Sequence, residues 1–563
     1  MPACRPLKMV VLVMMMVMLS WRPESAGNAA TTADWGGLNL PEEHVPYFFH
    51  NNPNVREKCS KDRTCPYKDA VEKSKKQCWG YEEDCPEAPR LPECPGESRQ
   101  WAADKESQRR MFWDTADFGY VRQRGKELKF YCKPNKAGDS SLECVDHLRY
   151  CRATNFYLDL STAKLLAASN PYREDVLSAG QIGGRCELNS TALKAQLDHK
   201  SPLQSWAAEL EHFVSVTEKP LSKKMCDVVI SKPMYFIKLD ATVNMYHHFC
   251  DYVNLYVSQH FNNSFSTDAN VLIWDTSGHL MSTMFAETWR AFTDRTPLRL
   301  KDFDGKKVCF KKVVFSFLAR MRQGLYYNMP LVPGCHGSTL MKAFSHHIAH
   351  RLKLPQYGPL QNKIRVTLLS RSTKYRQIMN QEKLVRALQK DSEFEVRKVD
   401  FVRTVPFLEQ AEISHNSDIF IGMHGAGLTH MLFQPDWAVI MELYNCEDSD
   451  CYQDLARLRG IRYMTWENKD KLIQEDEGHH PTLGAHAKFT NYAFDVEEFM
   501  RLVRKAAQYV RSHPAFIAAR NSKFPSQSPS KTELNTSKPD AKSVKKQREP
   551  QAEDKQHHPH TDL

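Results

Sequence analysis

The stretch Asp418–His430, DIFIGMHGAGLTH, leaves few folds open. Asp418–Gly422 is a short run of β-branched and aromatic residues, the pattern of a buried strand. Met423–Gly427 is a tight turn of small residues, and Leu428–Phe433 has the texture of a helix start. Strand, glycine turn and helix in immediate succession define a βα unit whose turn aims free backbone N–H groups and a positive helix end at one point. A pyrophosphate suits such a turn, because a Cβ in place of glycine would hold the phosphate away. A purely structural glycine turn would read the same, so the remainder of the chain has to decide.

The surrounding sequence repeats the alternation. Asp227–Ile230, Met234–Leu239, Ala269–Asp275 and Val308–Leu318 read as strands. Asn244–Phe261, Met281–Phe292 and Thr339–Leu354 read as helices. After a linker at Pro355–Pro359, strands are expected at Ile364–Leu369, Phe394–Phe401, Asp418–Gly422 and Ala438–Tyr444, with helices after Asn380, at Val405–Ile413 and at Asp495–Ser512. The expected fold is therefore α/β, with two successive α/β units and a cleft between them, at 226–354 and 360–514. Residues 40–186 are rich in cysteine, aromatics and turns and are expected to form a disulfide-stapled N-terminal subdomain.

The compartment follows from other signals. Arg5 and Lys8 precede the apolar run Met9–Leu19, and small residues follow at Ser25–Gly27, so residues 1–26 read as a cleaved signal peptide. No other run is long and apolar enough to span a bilayer. The chain has 16 cysteines, eight of them between Cys59 and Cys151, without the paired spacing of a zinc site. Glycosylation sequons begin at Asn189, Asn262 and Asn535. Residues 515–563 turn to Ser, Pro, Lys and Gln, a composition that cannot build a core, and are expected to be a disordered tail. The tail ends His560-Thr561-Asp562-Leu563, close to a retrieval signal of the endoplasmic reticulum. These features point to the lumen of the endoplasmic reticulum and to a retrieval receptor as partner. The formal charge of +10 is spread out, with no basic stripe carrying interleaved aromatics, which argues against nucleic acid.

Three features converge at carboxyl ends of strands in the second unit, where open sheets bind ligands. Arg371 and Arg376 offer bidentate, permanently charged guanidiniums for a diphosphate. His424, Gly425, Ala426 and Gly427 form the turn. Glu442 ends the next strand, where a carboxylate can accept ribose hydroxyls. Each also has a structural reading: a surface arginine pair, a plain turn, an ion-paired glutamate. In the first unit, His247 and Asp251 are four apart on a helix and share a face, so the acid could orient the imidazole as a general base. The alternative is a buried histidine with a satisfied hydrogen bond. The chain lacks G-x-S-x-G, H-E-x-x-H and G-x-x-x-x-G-K-[ST] patterns, which excludes the corresponding hydrolase and P-loop chemistries.

The segments NMYHHFCDYVNLY, SRSTKYR, FIGMHGAGLTHMLFQPDWAVIMELYNCED and HHPTLG, with LPEEHVPYFFHNN and YCRATNFYLDL upstream, resemble glycosyltransferase family 61, in its branch acting on EGF-like repeats. The resemblance runs from about Leu40 to Pro514. It implies a GT-B fold of two Rossmann-like domains facing a cleft, and inverting transfer of N-acetylglucosamine from UDP-GlcNAc to Ser or Thr of folded EGF-like repeats in secreted and membrane proteins such as Notch receptors. It implies Arg371, Arg376, His424–Gly427 and Glu442 as the donor site, and His247 or Asp251 as the base. Family relatives carry an acidic D-x-D-like triplet where this chain has Asp294-Arg295-Thr296, so the second acid is missing. A divalent metal such as Mn²⁺ is therefore not firmly implied, and UDP-GlcNAc is the one small molecule the resemblance calls for. A sibling transferase with another acceptor and a non-catalytic lumenal binding protein are the competing readings.

Overall fold

The computed structural model describes Trp35, Leu40 and residues 45–74, 92–163, 165, 172–198, 201–222, 225–262, 264–277 and 284–525. The expected signal peptide, Cys78, Cys85, Asn535 and the terminal tetrapeptide lie outside these residues. Among the described residues no helix is long and apolar enough to cross a membrane.

The first sheet has eleven strands and two textures. Its parallel part consists of Leu298–Arg299, Asn270–Ile273, Met234–Ile237 and Lys307–Phe315, side by side, with Val228–Ile230 also parallel to the last. Lys307–Phe315 then pairs antiparallel with Cys151–Asp159, in a register that sets Lys307 opposite Asp159 and Phe315 opposite Cys151. Ser141–Cys144, Lys129–Lys133 and Glu187–Leu188 continue the antiparallel part. The cysteine-rich stretch is thus not a separate stapled subdomain, because its strands extend the sheet of the first unit. The sequence hid this because a hairpin strand such as CRATNFYLD carries no mark of which sheet it will join.

Disulfides tie this sheet together: Cys144–Cys151 closes a hairpin, Cys132–Cys186 and Cys226–Cys309 fasten strands to the following or preceding loops, and Cys59–Cys65 closes a short N-terminal turn. Cys94–Cys335 joins positions 241 residues apart. Cys250, Cys446 and Cys451 are free thiols.

Across the sheet runs the helix Met245–Phe261, capped by the Asn244 side chain, which accepts the Tyr246 N–H. Every residue of this helix from His248 to His260 is buried, including the polar ones. A helix buried on all sides belongs inside a protein, and this one is covered on its far face by the second unit: the Phe249 ring packs on Phe407 and Phe433, at 5.9 and 5.7 Å.

The second sheet has five parallel strands in the order Phe394–Val399, Ile364–Leu369, Ile419–Gly422, Val439–Glu442, Arg462–Thr465. By position along the chain this order is 2-1-3-4-5, so the order reverses between Ile364–Leu369 and Ile419–Gly422. Alternation along these strands sorts the core. Ile419, Ile421, Val439 and Met441 face the helices Gln381–Lys390 and Val496–Ser512. Phe420 and Ile440 face the other way and join one continuous core that begins at Trp35 and includes the first unit.

The linker is held in place: Tyr357 donates its hydroxyl to Glu412 at 2.6 Å, and Lys523 donates to the carbonyls of Tyr357 and Pro359. Lys523 ends the helix Pro514–Lys523, whose Phe516 packs on Trp437 at 5.8 Å. Order therefore continues past the expected boundary at 515, because Ala515, Phe516 and Ile517 form a short apolar patch inside a stretch whose average composition is polar.

Candidate active site

The Ile419–Gly422 strand delivers its chain to the point where the strand order reverses, and the turn after it is built around two arginines. Gly425 has φ +153°, and a Cβ there would meet Arg371 Nη1 at 2.5 Å. Gly427 closes on Leu369, where a Cβ would lie 2.6 Å from a methyl group. The helix expected from Leu428 is a 3₁₀ helix and begins two residues earlier, at Ala426–Phe433. Arg376, in the left-handed region at φ +60°, donates to the His424 carbonyl at 3.1 Å. Arg371 donates from Nε to the Tyr375 carbonyl at 2.9 Å. Burial and the neighbouring Arg376 lower the Arg371 guanidinium to about 10. Two half-buried arginines beside a glycine turn, engaged by carbonyls rather than carboxylates, form a positive site that an anion would relieve.

The turn's own imidazole is oriented from behind. His424 Nδ1 lies 2.8 Å from Glu442 Oε1, and Tyr463 donates its hydroxyl to Glu442 Oε2 at 2.5 Å. Glu442 has no solvent exposure and both its oxygens are engaged. It does not stand where a ribose would reach it, and the geometry supports the structural reading of this residue, a buried carboxyl engaged by His424 and Tyr463. On its other side, His424 Nε2 is 3.7 Å from Asp448, which pairs with Lys488 at 2.6 Å. That pairing holds the Asp448 carboxyl below its ordinary range despite partial burial.

In the first unit the expected His247–Asp251 pair does not form. His247 Nδ1 lies 3.1 Å from Asp240 Oδ2 and 3.2 Å from Arg320 Nη2, and Arg320 donates to Asp240 at 2.7 Å. Burial raises the Asp240 carboxyl, but the hydrogen bond from His247 and the charge of Arg320 outweigh it and lower the group. Asp251 instead faces inward to His248 Nδ1 at 3.2 Å and accepts the Asp240 backbone N–H. Burial raises the Asp251 carboxyl well above its usual range and lowers the His248 imidazole to about 3. The i, i+4 spacing is right for a helix, but partners from outside it lie closer: Asp240 precedes the helix, and Arg320 comes from a distant loop. Asp251 thus fixes the loop through the Asp240 backbone, while Asp240 fixes His247. In the tautomer that donates Nδ1–H to Asp240, the free lone pair of His247 is on Nε2.

The two centres meet across an aromatic contact. Tyr246, beside His247, packs on Tyr452 at 5.7 Å, and Tyr452 packs on His424 at 5.1 Å. Asp240, Arg320, Tyr452, Tyr463, Asp448 and Lys488 escaped the sequence analysis, since no spacing links them to the residues they serve.

Asp294, Arg295 and Thr296 are elsewhere. They are exposed, Asp294 accepts from the Thr267 hydroxyl, and Arg295 pairs with Asp268 at 3.0 Å. Thr267 and Asp268 precede the Asn270–Ile273 strand, so the triplet lies at the amino ends of the strands, opposite the centres above. One exposed carboxylate there does not fit a metal-bound diphosphate. Among the described residues no group of three or more His, Cys, Asp or Glu is arranged to hold a metal ion. Asn189 is exposed and caps a short helix by accepting the Ala192 N–H; Asn262 is half-buried, with its amide 3.3 Å from the Tyr235 hydroxyl.

A model of the family Glycosyltransferase 61 matches residues 245–441, a span that takes in His247, Arg320, both turn arginines and the glycine turn. A protein of Gallus gallus, the EGF domain-specific O-linked N-acetylglucosamine transferase, is 55% identical over 86% of this chain and 92% of its own length. The protein of the same description from Drosophila melanogaster is 46% identical over 88% of this chain and 94% of its own. Among solved structures, the bacterial iron-containing dodecameric glycosyltransferase TibC aligns at 13% identity with a TM-score of 0.21, over 53% of this chain and 77% of that one, too low to inform the fold.

Proposed function

The chain belongs to glycosyltransferase family 61, in the group of EGF domain-specific O-linked N-acetylglucosamine transferases, and from that premise we propose how its two centres work. N-acetylglucosamine passes from UDP-GlcNAc to a Ser or Thr hydroxyl of a folded EGF-like repeat. The observation that carries this reading is the Tyr246–Tyr452–His424 contact, which sets an oriented imidazole beside an arginine-lined turn. The arginines and turn N–H groups receive the diphosphate; Nε2 of His247 takes the hydroxyl proton as the oxygen attacks C1 of the sugar. A single displacement of this kind inverts the anomeric centre. The departing UDP is stabilised by Arg371 and Arg376, worth about 3 kcal/mol for a well-placed donor.

The two parallel-stranded units are assigned the GT-B arrangement, with the first unit on the acceptor side. Charge on the diphosphate is met by arginines and a turn, so the reaction is assigned no essential metal. The disulfides suit an oxidising compartment, and together with the leader and the HTDL terminus they favour the lumen of the endoplasmic reticulum, retrieval by a receptor, and acceptors among secreted and membrane proteins, Notch receptors included.

The test is mass spectrometry of a folded EGF repeat after incubation with the purified protein and UDP-GlcNAc, with and without EDTA. One added HexNAc on the folded repeat and none on its reduced form is the expected result, with the signal surviving EDTA. Loss in EDTA would remove the metal-free assignment. No HexNAc under any condition, with a control transferase active, would overturn the acceptor assignment in favour of a sibling activity or a non-catalytic role.

A further inference from the structure

Next to His247 the surface opens into a recess of about 500 Å³, lined by Tyr172, residues 201–204, Arg320, Tyr327 and Asn328. Two of its walls are the residues that touch His247. Arg320 is within 3.2 Å of the imidazole, and the Tyr327 ring lies 5.5 Å from it. Arg320 also lies flat over Tyr327, 3.8 Å from the ring centre. The opposite wall comes from a different part of the chain. Residues 201–204 belong to the segment after the antiparallel strands, and the Leu203 carbonyl accepts the Arg320 backbone N–H at 2.9 Å. Tyr172 donates its hydroxyl to the Leu239 carbonyl, just before Asp240. The recess is therefore fastened to the loop that carries the base's partner.

The loop that forms the near wall is held in an uncommon conformation. Gln323 and Tyr326 have φ of +53° and +73°, and Tyr326 is buried against Tyr246 at 5.1 Å. A bulky non-glycine residue in the left-handed region is strained and persists only where the surroundings impose it. Here the conformation turns Tyr327 and Asn328 into the recess. Arg320 already has its counterion in Asp240, so the recess does not present a bare charge. Its character is that of a site for polypeptide: two tyrosines, Pro202 and Leu203 for apolar contact, and Ser201, Gln204 and Asn328 for backbone hydrogen bonds. Gln204 also lines a second, separate recess, with Arg322, Arg149 and His147.

We infer that this recess is the acceptor site, in which the strand or turn of the disulfide-stapled substrate that bears the hydroxyl lies between residues 201–204 and Tyr327, with Arg320 and Tyr327 positioning His247 toward it. This deepens the reading above and rests on it. Selectivity for the acceptor then resides partly in the N-terminal part of the chain, which the Glycosyltransferase 61 match at 245–441 does not include.

The experiment fills the recess. Ser201→Trp and Gln204→Trp project bulk into it from residues that are exposed or half-exposed. With a folded EGF repeat and UDP-GlcNAc as the substrates used, each variant is expected to raise the acceptor KM at least about tenfold. Affinity for UDP-GlcNAc, measured by calorimetry, and the melting temperature serve as the controls for the donor site and for folding, and both are expected to stay near the parent's. A milder pair, Ser201→Ala and Gln204→Ala, should raise the acceptor KM roughly two- to fivefold. An acceptor KM unchanged within about twofold in both Trp variants would overturn the inference. A rise in KM for UDP-GlcNAc equal to that for the acceptor would also overturn it, since it would place the recess on the donor side. If the parent protein modifies no EGF repeat, the proposed function fails; if the parent is active and the filled variants match it, only the recess assignment fails.

Discussion

Asp240 and Asp251 make a comparison that separates chemistry from architecture. Asp240→Asn keeps the shape but removes the carboxylate that holds the His247 tautomer, so kcat should fall about 10²-fold or more with little change in melting temperature. Asp251→Asn disturbs a fully buried group that accepts the Asp240 N–H, so it should show first as a lower melting temperature. Parallel kinetics and thermal melts check both, and the reverse pattern would return Asp251 to the role of orienting acid. At the turn, Gly425→Ala adds one methyl against Arg371 Nη1, which must move to admit it. The expected effect is an increase of about tenfold or more in the KM for UDP-GlcNAc, with the acceptor KM nearly unchanged, read from initial-rate kinetics. The turn was legible in the sequence because it is local, a strand followed by two glycines, and the arginines because they follow Ile364–Leu369, the strand that pairs with the turn's own. The true partner of His247 was not, because Asp240 lies outside the helix and Arg320 is 73 residues away.

Among the elements, the Ala426–Phe433 helix does more than end the turn. Asp436, just beyond it, pairs with Arg459 at 2.9 Å, with Lys342 at 2.7 Å and with His346 at 3.5 Å. Lys342 and His346 belong to the Thr339–Arg351 helix, so one carboxylate connects elements of both units. Burial raises it, but Arg459 and the His346 hydrogen bond dominate and hold it far below the usual carboxylate range. A depressed folded pKa gives stability that is present above the unfolded value of about 3.9 and lost as the pH falls below it. Asp436→Asn should therefore cost about 3 kcal/mol at pH 7, by leaving the buried Arg459 without its counterion. The difference in melting temperature between parent and variant should hold from neutral pH down to about pH 4 and shrink as the pH is lowered further. Element types were mostly readable from periodicity, as the parallel strands of the second sheet illustrate. Their partners were less so: nothing in residues 129–159 marks them as an extension of a sheet that also takes in strands beyond residue 227.

At the scale of the whole molecule, the two units are joined by a core, not merely by a linker across a cleft. Phe249 meets Phe407 and Phe433, and the Pro355–Pro359 segment is tied down at Tyr357 and by Lys523. The units should consequently melt together, as a single calorimetric transition would show, and loops such as Arg320–Asn328 rather than a hinge between units are where substrate entry is expected to be accommodated. The Cys94–Cys335 staple also governs how such a chain is made. A ribosome releases residues in order, and Cys94 is complete 241 residues before its partner Cys335. Throughout that interval Cys94 lacks its native partner while other cysteines of its own segment are already made, and the Cys151–Asp159 strand waits for Lys307–Phe315 to be synthesised. The N-terminal part thus cannot finish first as the early-made portion of a chain often does. Its final shape is set only once the middle of the chain has arrived, which makes biogenesis depend on keeping an incomplete sheet edge and a waiting cysteine out of wrong pairings.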